Sequence, residues 1–258
     1  MSKRMCFSLA VLCLPLLAPV MASTQQPTEP AAFTYVAEWA IPRAQWDAFQ
    51  ANFDKNTRRV LDRASADGTL VSWGSYATYV HLDGDVTHGF WMQSVGSGGI
   101  EKVREQLIKN PPDPSLLAAT KHRDYFLRSL LRKARTTGPA GGYLWVGSSV
   151  VKPGKGQDWR DLWEKYTKPL YDELLANGTI TFYEVQVEHV HTDDPGVRYV
   201  VYGTATADGI GKVFAAGQAR TQARSAEERQ AIGNAFAETT VAGPHRDYMA
   251  KISSYWVK

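Results

Sequence analysis

The chain has 258 residues, of which 44% are hydrophobic and 21% are charged, and its formal net charge is +3. These values are typical of soluble globular proteins and argue against a disordered chain or an integral membrane protein. The nearly balanced charge also gives no support for nucleic acid or an anionic membrane surface as a partner. The length allows two domains of ordinary size, or one large one, with a substantial core.

The first 22 residues have the pattern of a secretory signal peptide. Lys3 and Arg4 supply the positive start, residues 7–20 form an apolar run, and residues 20–22 fit the small-residue cleavage pattern. The apolar run is shorter than the roughly 20 residues that a bilayer-spanning helix needs. We therefore predict export to the periplasm or the extracellular space after cleavage near Ala22, with no membrane segment in the mature form.

Both cysteines of the chain, Cys6 and Cys13, lie inside this signal peptide. The mature chain is therefore predicted to contain no disulfide, and its stability must come from its hydrophobic core. The next residues, 23–32, are polar and contain prolines. This composition is typical of a flexible leader before the first domain.

The sequence after the leader is similar to itself at a shift of 110 residues. Identical residues recur in register in the two halves, among them Asp62 and Asp172, Gly68 and Gly178, and His81 and His191. The tetrapeptide His-Arg-Asp-Tyr also occurs twice, at residues 122–125 and 245–248. Internal repeats of this kind indicate a duplicated structural unit. We predict two repeats, 33–135 and 143–258, joined by a glycine-rich linker at 136–142.

The two halves are predicted to share one order of elements, β-α-β-β-α-β. Aromatic and β-branched runs indicate strands, and apolar residues at spacings of three, four and seven indicate an amphipathic helix after the first strand. Gly68 and Gly178 follow these helices and supply the left-handed conformation of a helix end. A second helical region begins at Gly99 and its equivalent, and in the second half it is prolonged through residues 226–237. The predicted strands span 35–41, 70–82, 88–95 and 125–131 in the first half, and 143–151, 180–191, 198–205 and 248–257 in the second.

This order of elements, written twice, resembles the dimeric α/β-barrel superfamily, which includes antibiotic-biosynthesis monooxygenases and NIPSNAP-like proteins. The resemblance covers nearly all of residues 33–258. It implies an α+β fold in which two ferredoxin-like sheets face each other within one chain, as a monomeric pseudo-dimer. It also implies a pocket, either between a sheet and its helices or between the two sheets. The sequence leaves further oligomerisation open.

Strand periodicity indicates which side chains face the interior of such a barrel. Glu184 lies on the inward face of a long strand of the second half, and a buried carboxylate is costly unless it is paired or used. We expect Arg128 and Lys251, which are equivalent at a shift of 123, to share the interior and to neutralise Glu184 or Glu188. The alternatives are a solvated strand face or a structural salt bridge, because a slip of one residue exchanges the two faces. The candidate ligand-binding residues of this interior are Tyr76, Arg128, Glu184, Gln186, Glu188 and Lys251.

Three histidines near the ends of the long strands are further candidates for ligand binding. His81 and His191 are equivalent, and His189 lies two residues before His191, on the same strand face. Two imidazoles on one face can share a metal ion or relay a proton. A third ligand with recognisable spacing is missing, so histidines bonded to a turn are the simpler interpretation. We predict no metal and no cofactor.

The two His-Arg-Asp-Tyr tetrapeptides have a functional and a structural interpretation. As a site, each would offer a histidine acid or base supported by a carboxylate, with an arginine for an anionic ligand. As structure, each would fix the entry to the last strand through an Arg/Asp pair, with the tyrosine in the core. Presence in both halves favours the structural interpretation for His122, Arg123, Asp124, His245, Arg246 and Asp247.

The leading functional hypothesis is an exported protein that binds a small, partly apolar molecule in a pocket of the pseudo-dimer. No residue is assigned as catalytic. The resemblance alone implies one alternative, a cofactor-independent oxygenase or isomerase in which a pocket His or Glu moves a proton. The other alternative is a non-catalytic interaction module whose barrel is filled by side chains.

Overall fold

The computed structural model of the protein describes residues 32–79, 85–111, 113–135, 141–191 and 195–257. The predicted signal peptide and nearly all of the predicted leader lie outside the described residues. Most of the predicted linker between the halves also lies outside them.

Eight strands form one closed antiparallel barrel. Around the barrel they follow the order β1-β3-β2-β8-β5-β7-β6-β4. The expected α+β class is therefore confirmed, and the two predicted sheets are continuous with each other. The strands are β1 (Ala32–Trp39), β2 (Ser72–Thr78), β3 (His88–Val95), β4 (His122–Ala134), β5 (Gly142–Val151), β6 (Phe182–Val190), β7 (Val197–Thr204) and β8 (Thr240–Val257).

Each half of the chain contributes four adjacent strands. The first half has the order β4-β1-β3-β2, and the second half has the order β8-β5-β7-β6. The halves meet at two hydrogen-bonded seams, where Trp73 of β2 pairs with Trp256 of β8 and Arg132 of β4 pairs with Glu184 of β6. Closure of both seams leaves neither half with an unpaired sheet edge.

The helices cover the outer face of the barrel. Gly68 and Gly178 follow the helices α2 and α6 with φ of 77° and 83°, so the predicted left-handed helix ends are confirmed. The first half contains α1 (Trp46–Asn52), a π-helical turn (Phe53–Thr57), α2 (Arg58–Ala66), α3 (Ser97–Leu107) and α4 (Pro114–Leu117). The second half contains α5 (Gly156–Tyr166), α6 (Lys168–Ala176), α7 (Ala207–Gln222) and α8 (Ala226–Thr239).

The prolonged helical region of the second half consists of two helices. A capping box begins α8, since the Glu228 N–H donates to Ser225 Oγ at 3.1 Å and the Ser225 N–H donates to Glu228 Oε2 at 3.2 Å. These bonds satisfy backbone donors that the first helical turn leaves unpaired. Within the part of the chain that the structure describes, none of the helices has the length and apolar character needed to cross a membrane.

Buried side chains form three clusters, which distinguish the strand faces that point into the barrel from those that pack under the helices. One cluster lies between the barrel and the helices of the first half, around Trp73 and Met92. A second lies between the barrel and the helices of the second half, around Tyr183 and Tyr202. The third lies inside the barrel and draws on both halves, with Tyr76, Leu144, Val146, Phe182, Ala250, Ile252, Tyr255 and Val257.

Candidate functional site

A cavity of about 100 Å³ lies inside the barrel, and side chains from all eight strands line it. Three of the predicted interior residues, Tyr76, Glu184 and Gln186, belong to this lining. They do so because alternate residues of β2 and β6 point inward. Much of the remaining wall is apolar and consists of Val36, Trp91, Leu127, Leu144, Val146, Phe182 and Val201.

Glu38 on β1 is a buried carboxyl group in this cavity that the sequence did not single out. The Tyr76 hydroxyl donates a hydrogen bond to Glu38 Oε1 at 2.6 Å, and the Tyr248 hydroxyl donates to the same oxygen at 3.5 Å. Burial raises the pKa of Glu38, and this effect exceeds the opposing effects of the two phenols and of the Arg123 charge. The interior therefore favours the protonated form of this carboxyl group.

A second polar group inside the barrel is centred on Glu184. Its Oε1 accepts hydrogen bonds from the Ser129 hydroxyl and from Gln93 Nε2, the latter at 2.7 Å. Gln93 and Gln186 each donate to Thr34 Oγ1 at 2.9 Å, so the side chains form one connected layer. Burial also raises the pKa of Glu184, although its hydrogen bonds and the Arg132 charge oppose the rise.

Glu188, the third predicted inward residue of β6, is buried but does not line the cavity. It accepts a hydrogen bond from the Tyr199 hydroxyl at 3.0 Å. Its carboxyl group thus belongs to the barrel interior, beside the cavity rather than in its wall.

The prediction that Arg128 and Lys251 share the interior was wrong. Arg128 lies between Leu127, which lines the cavity, and Ser129, which contacts Glu184, so strand alternation turns the arginine outward. Lys251 is exposed, between the buried inward residues Ala250 and Ile252. The shift of 123 did relate the two positions, but both belong to the outer face.

The predicted histidines do not form a site in the described residues. His189 is exposed, and its ring packs edge-on against Phe33 and Phe126 at centroid distances of 5.0 and 5.5 Å. His191 is exposed as well, and His81 lies outside the described residues. No group of three or more His, Cys, Asp or Glu side chains in the described ranges is arranged to hold a metal ion.

A larger cavity, of about 370 Å³, lies between the barrel and the helices of the first half, and we call it the cleft. The sequence pattern singled out no residue of its floor or helical wall as a candidate. The floor is formed by Tyr35, Ala37 and Trp39 of β1 and by Phe90 of β3, and His122 of β4 lies at its side. The helical wall includes Phe49, Asn52, Phe53, Asn56, Thr57, Arg104 and Leu107.

The histidine of the first tetrapeptide forms part of the cleft wall. Nε2 of His122 lies 3.2 Å from Oδ1 of Asp124, and the Tyr35 hydroxyl donates to the same oxygen at 2.5 Å. The imidazole stacks on the Trp39 ring with an interplanar angle of 6° and a centroid distance of 5.0 Å. Burial, followed by the Asp124 hydrogen bond, raises the pKa of Tyr35, so this phenol stays neutral as a donor.

The second tetrapeptide repeats this pairing, since His245 Nε2 lies 3.1 Å from Asp247 Oδ2. In both motifs the aspartate contacts the histidine two residues before it, where an Arg/Asp pair was expected. The reason is strand alternation, which places positions one and three of the motif on the same face. Tyr125 and Tyr248, at position four, point into the barrel and line the interior cavity.

Several side chains of the helical wall of the cleft are larger at the equivalent positions of the second half, whereas Trp39 and Phe90 of the floor correspond to the smaller Ser149 and Val200. Phe49 and Phe53 correspond to Trp159 and Trp163 at the shift of 110, and both tryptophans are buried in the second-half core. Asn56 corresponds to Tyr166. These size differences were visible in the sequence and were the available signal for an open cleft in the first half.

The π-helical turn also distinguishes the first half. It spans Phe53–Thr57 and supplies three residues to the cleft, whereas the second half has the break between α5 and α6 in the equivalent region. Single π-helical turns occur frequently at functional sites, because the extra residue redirects the side chains of the helix.

No protein-family model matches the sequence, and no curated protein is detectably similar to it. Solved structures with the same fold were found. A Lactobacillus acidophilus protein assigned provisionally as a monooxygenase has 8% identity and a TM-score of 0.62, and the match covers 89% of this chain and 97% of that one. A Fusobacterium nucleatum protein with the same provisional assignment has 7% identity and a TM-score of 0.61, covering 90% and 96%.

An anthrone oxidase-like protein is also similar, with 11% identity, a TM-score of 0.55, and coverage of 89% of this chain and 94% of that chain. At these identities the likeness concerns the arrangement of strands and helices. The chain therefore shares, over almost nine tenths of its length, the α/β-barrel fold that its repeated order of elements implied.

Proposed function

We propose that this protein binds a small, flat and partly apolar molecule in the cleft, and that the His122–Asp124 pair moves a proton to or from that molecule. The observation that carries the proposal is the position of His122, paired with Asp124, in the wall of a cavity of about 370 Å³. A cavity of this size lies within the usual range of small-molecule sites.

The composition of the cleft favours an aromatic ligand. The rings of Trp39 and Phe90 stack at 5.8 Å and offer a flat apolar floor. The Asn52, Asn56 and Arg104 side chains bring polar groups to the opposite wall. A ring system with one polar or ionisable edge would bury its faces against the floor and direct its edge to these groups.

The geometry of His122 suits a general base. When Nε2 carries the proton and donates a hydrogen bond to Asp124, Nδ1 is unprotonated. Nδ1 is then the ring nitrogen that can accept a proton from the ligand. The carboxylate also stabilises the imidazolium that then forms. This assigns His122 as the proton acceptor and Asp124 as its positioning residue.

The proposed reaction class is cofactor-independent oxygenation. Removal of a proton from a phenolic or activated carbon acid leaves an electron-rich anion, which can transfer electrons to molecular oxygen. The fold shared with proteins named for monooxygenase and anthrone oxidase activity supports this choice over isomerisation. The binding function does not depend on the reaction.

Two further parts of the proposal concern the whole chain. We propose that the four-strand halves are ferredoxin-like repeats from a tandem duplication, which their equivalent strand orders support. We also propose that the protein is exported, since residues 1–22 have the pattern of a signal peptide.

Anthrone provides a direct test, because it is a flat tricyclic carbon acid. Binding is measured by quenching of tryptophan fluorescence under nitrogen, and turnover is measured with an oxygen electrode in air. We expect saturable binding by the wild type and oxygen uptake above the rate of anthrone alone. His122→Gln should retain binding and lose at least about tenfold in uptake.

His245→Gln is the matched control, because it removes the same kind of histidine from the second half. Uptake equal to wild type is expected for this variant. Equal losses in both variants would contradict the assignment of His122. Binding of anthrone without oxygen uptake would support a binding protein that has no oxygenase activity. 1-Naphthol is a second, bicyclic probe, and failure to bind either compound would contradict the cleft as a site for aromatic ligands.

A further inference from the structure

We infer that the interior of the barrel is a second binding site, separate from the cleft, for a small alkylammonium cation about the size of tetramethylammonium. The inference concerns different residues from the proposed function and does not depend on it. Its basis is the chemistry of the cavity wall.

The wall combines aromatic rings with carboxyl groups. Glu38 and Glu184 are buried in it, and the residues that line the cavity, all of them described, include no lysine, arginine or histidine. Rings surrounding a cavity attract an organic cation through their negative faces, and a carboxylate adds a direct partner. The six rings of the wall belong to Tyr76, Trp91, Tyr125, Phe182, Tyr199 and Tyr248.

Several of these rings pack against one another in the wall of the cavity. The Tyr76 ring lies 6.1 Å from Trp91 and 6.4 Å from Tyr248, between ring centroids, and Tyr125 lies 6.1 Å from Tyr199. These contacts place aromatic pairs on strands of both halves of the chain. A cation held among them would be within the distance at which cation–π attraction acts.

Two glycines allow the rings of the first half to lie against the barrel wall. A Cβ atom at Gly74 would meet the Trp91 ring at 2.1 Å, and one at Gly89 would meet the Tyr76 hydroxyl at 2.7 Å. The equivalent positions of the second half are Glu184 and Tyr199. The site thus arises from differences between the halves, which a shared requirement for folding would not produce.

Both carboxyl groups of the wall are held towards their neutral form by burial. Arg123 acts on Glu38 and Arg132 acts on Glu184, but burial outweighs both charges and raises the pKa of each carboxyl group. A bound ammonium ion would place a positive charge beside these carboxyl groups. It would favour the ionised carboxylate, so one proton would leave as the cation enters.

The volume limits the size of the ligand. A cavity of about 150 Å³ holds the six carbons of benzene, so the cavity of about 100 Å³ admits only a ligand with fewer non-hydrogen atoms than benzene. Tetramethylammonium has five, and its charge is spread over methyl groups that suit the apolar part of the wall. Flat polycyclic molecules suited to the cleft are too large for the interior.

Isothermal titration calorimetry with tetramethylammonium chloride tests the inference, at an ionic strength kept constant with sodium chloride. We expect saturable binding by the wild type. tert-Butanol has the same number of non-hydrogen atoms but no charge, and it should not bind. Glu38→Gln should weaken tetramethylammonium binding by at least about tenfold.

Glu188→Gln is the matched control, because Glu188 is also a buried glutamate that accepts a tyrosine hydrogen bond but lies outside the cavity wall. It should bind tetramethylammonium as the wild type does. Circular dichroism tests whether both variants are folded. If Glu38→Gln does not fold, Trp91→Leu replaces it, with the same expected loss of tetramethylammonium affinity.

The inference is overturned if the wild type does not bind tetramethylammonium, if tert-butanol binds equally well, or if the loss is the same in both glutamate variants. The anthrone measurement on the same preparation separates this result from the proposed function. Anthrone binding without tetramethylammonium binding removes the interior site and leaves the cleft in place.

Discussion

Tyr76 on β2 donates a 2.6 Å hydrogen bond to Glu38 on β1, across the intervening strand β3. Both residues pair with Gly89 of β3, so the bond crosses the backbone of that glycine. The absence of a side chain at position 89 lets the Tyr76 ring lie flat over β3 and reach Glu38. This arrangement connects the two buried groups at one end of the interior cavity.

Gly89→Ala is therefore expected to destabilise the protein. The new Cβ atom would lie 2.7 Å from the Tyr76 hydroxyl and 3.0 Å from the Ala37 carbonyl oxygen, and the carbonyl belongs to the rigid barrel. Overpacking of this kind costs about 1–3 kcal/mol. Urea denaturation measures the change in the free energy of unfolding. Gly98→Ala is the control, because its Cβ atom would meet nothing within 4 Å, and an equal effect of both substitutions would contradict the packing argument.

The Glu38 carboxyl group is expected to make the stability of the barrel depend on pH. Its pKa in the folded protein is raised above the ordinary value of 4.5, so the folded state binds the proton more tightly than the unfolded state. The resulting stabilisation is fully present below pH 4.5 and is lost as the pH rises to the folded-state pKa.

Glu38→Gln removes this titration and keeps the shape of the side chain. The free energy of unfolding of the variant, measured relative to wild type, should therefore rise as the pH increases above 4.5. Urea denaturation across this pH range measures the difference in the free energy of unfolding between the variant and the wild type. Groups that titrate equally in both proteins do not contribute to this difference. A constant difference would show that Glu38 ionises at its ordinary pKa.

Asp172 is expected to give the opposite dependence on pH. Hydrogen bonds from Lys133, Lys168 and Tyr183 outweigh its burial and lower the pKa of Asp172 to about 2. The stabilisation is present above the ordinary value of 3.8 and is lost as the pH falls towards 2.

Asp172→Asn should consequently cost roughly 1 kcal/mol at neutral pH, a value kept small because the carboxylate is partly solvated. The difference from wild type should disappear as the pH falls below 3.8. Thermal denaturation followed by circular dichroism at neutral and acidic pH measures it. A difference that persists at low pH would assign the effect to packing instead of charge.

Both helix ends predict a penalty for a β-branched residue. Gly68 and Gly178 have φ of 77° and 83°, where a valine is strained. We expect Gly68→Val and Gly178→Val each to lower the free energy of unfolding by more than about 1 kcal/mol. A Cβ atom at Gly68 would meet no atom within 4 Å, so the loss of stability in Gly68→Val would come from backbone strain alone. An unchanged thermal midpoint for Gly68→Val would contradict that explanation.

The sequence alone determined the order of the elements and the face on which strand residues lie. The period of two placed Tyr76, Glu184 and Gln186 inside the barrel, because the alternation of side chains is a local property of a strand. Arg128 on β4 and Lys251 on β8 were expected in the interior because they are equivalent at a shift of 123, and both point outward. Neither strand has the clear apolar alternation that would have set the phase.

Only the tertiary structure decided which side chains surround the interior cavity and the cleft. The cleft brings together residues of three strands, α1, the π-helical turn, α3 and α4, which are distant in sequence. Its opening depends on side-chain volumes summed over all of them. The pairing of Glu38 with Tyr248 joins residues 210 positions apart. Contacts of this range depend on how the barrel closes, and closure is a property of the packed chain as a whole.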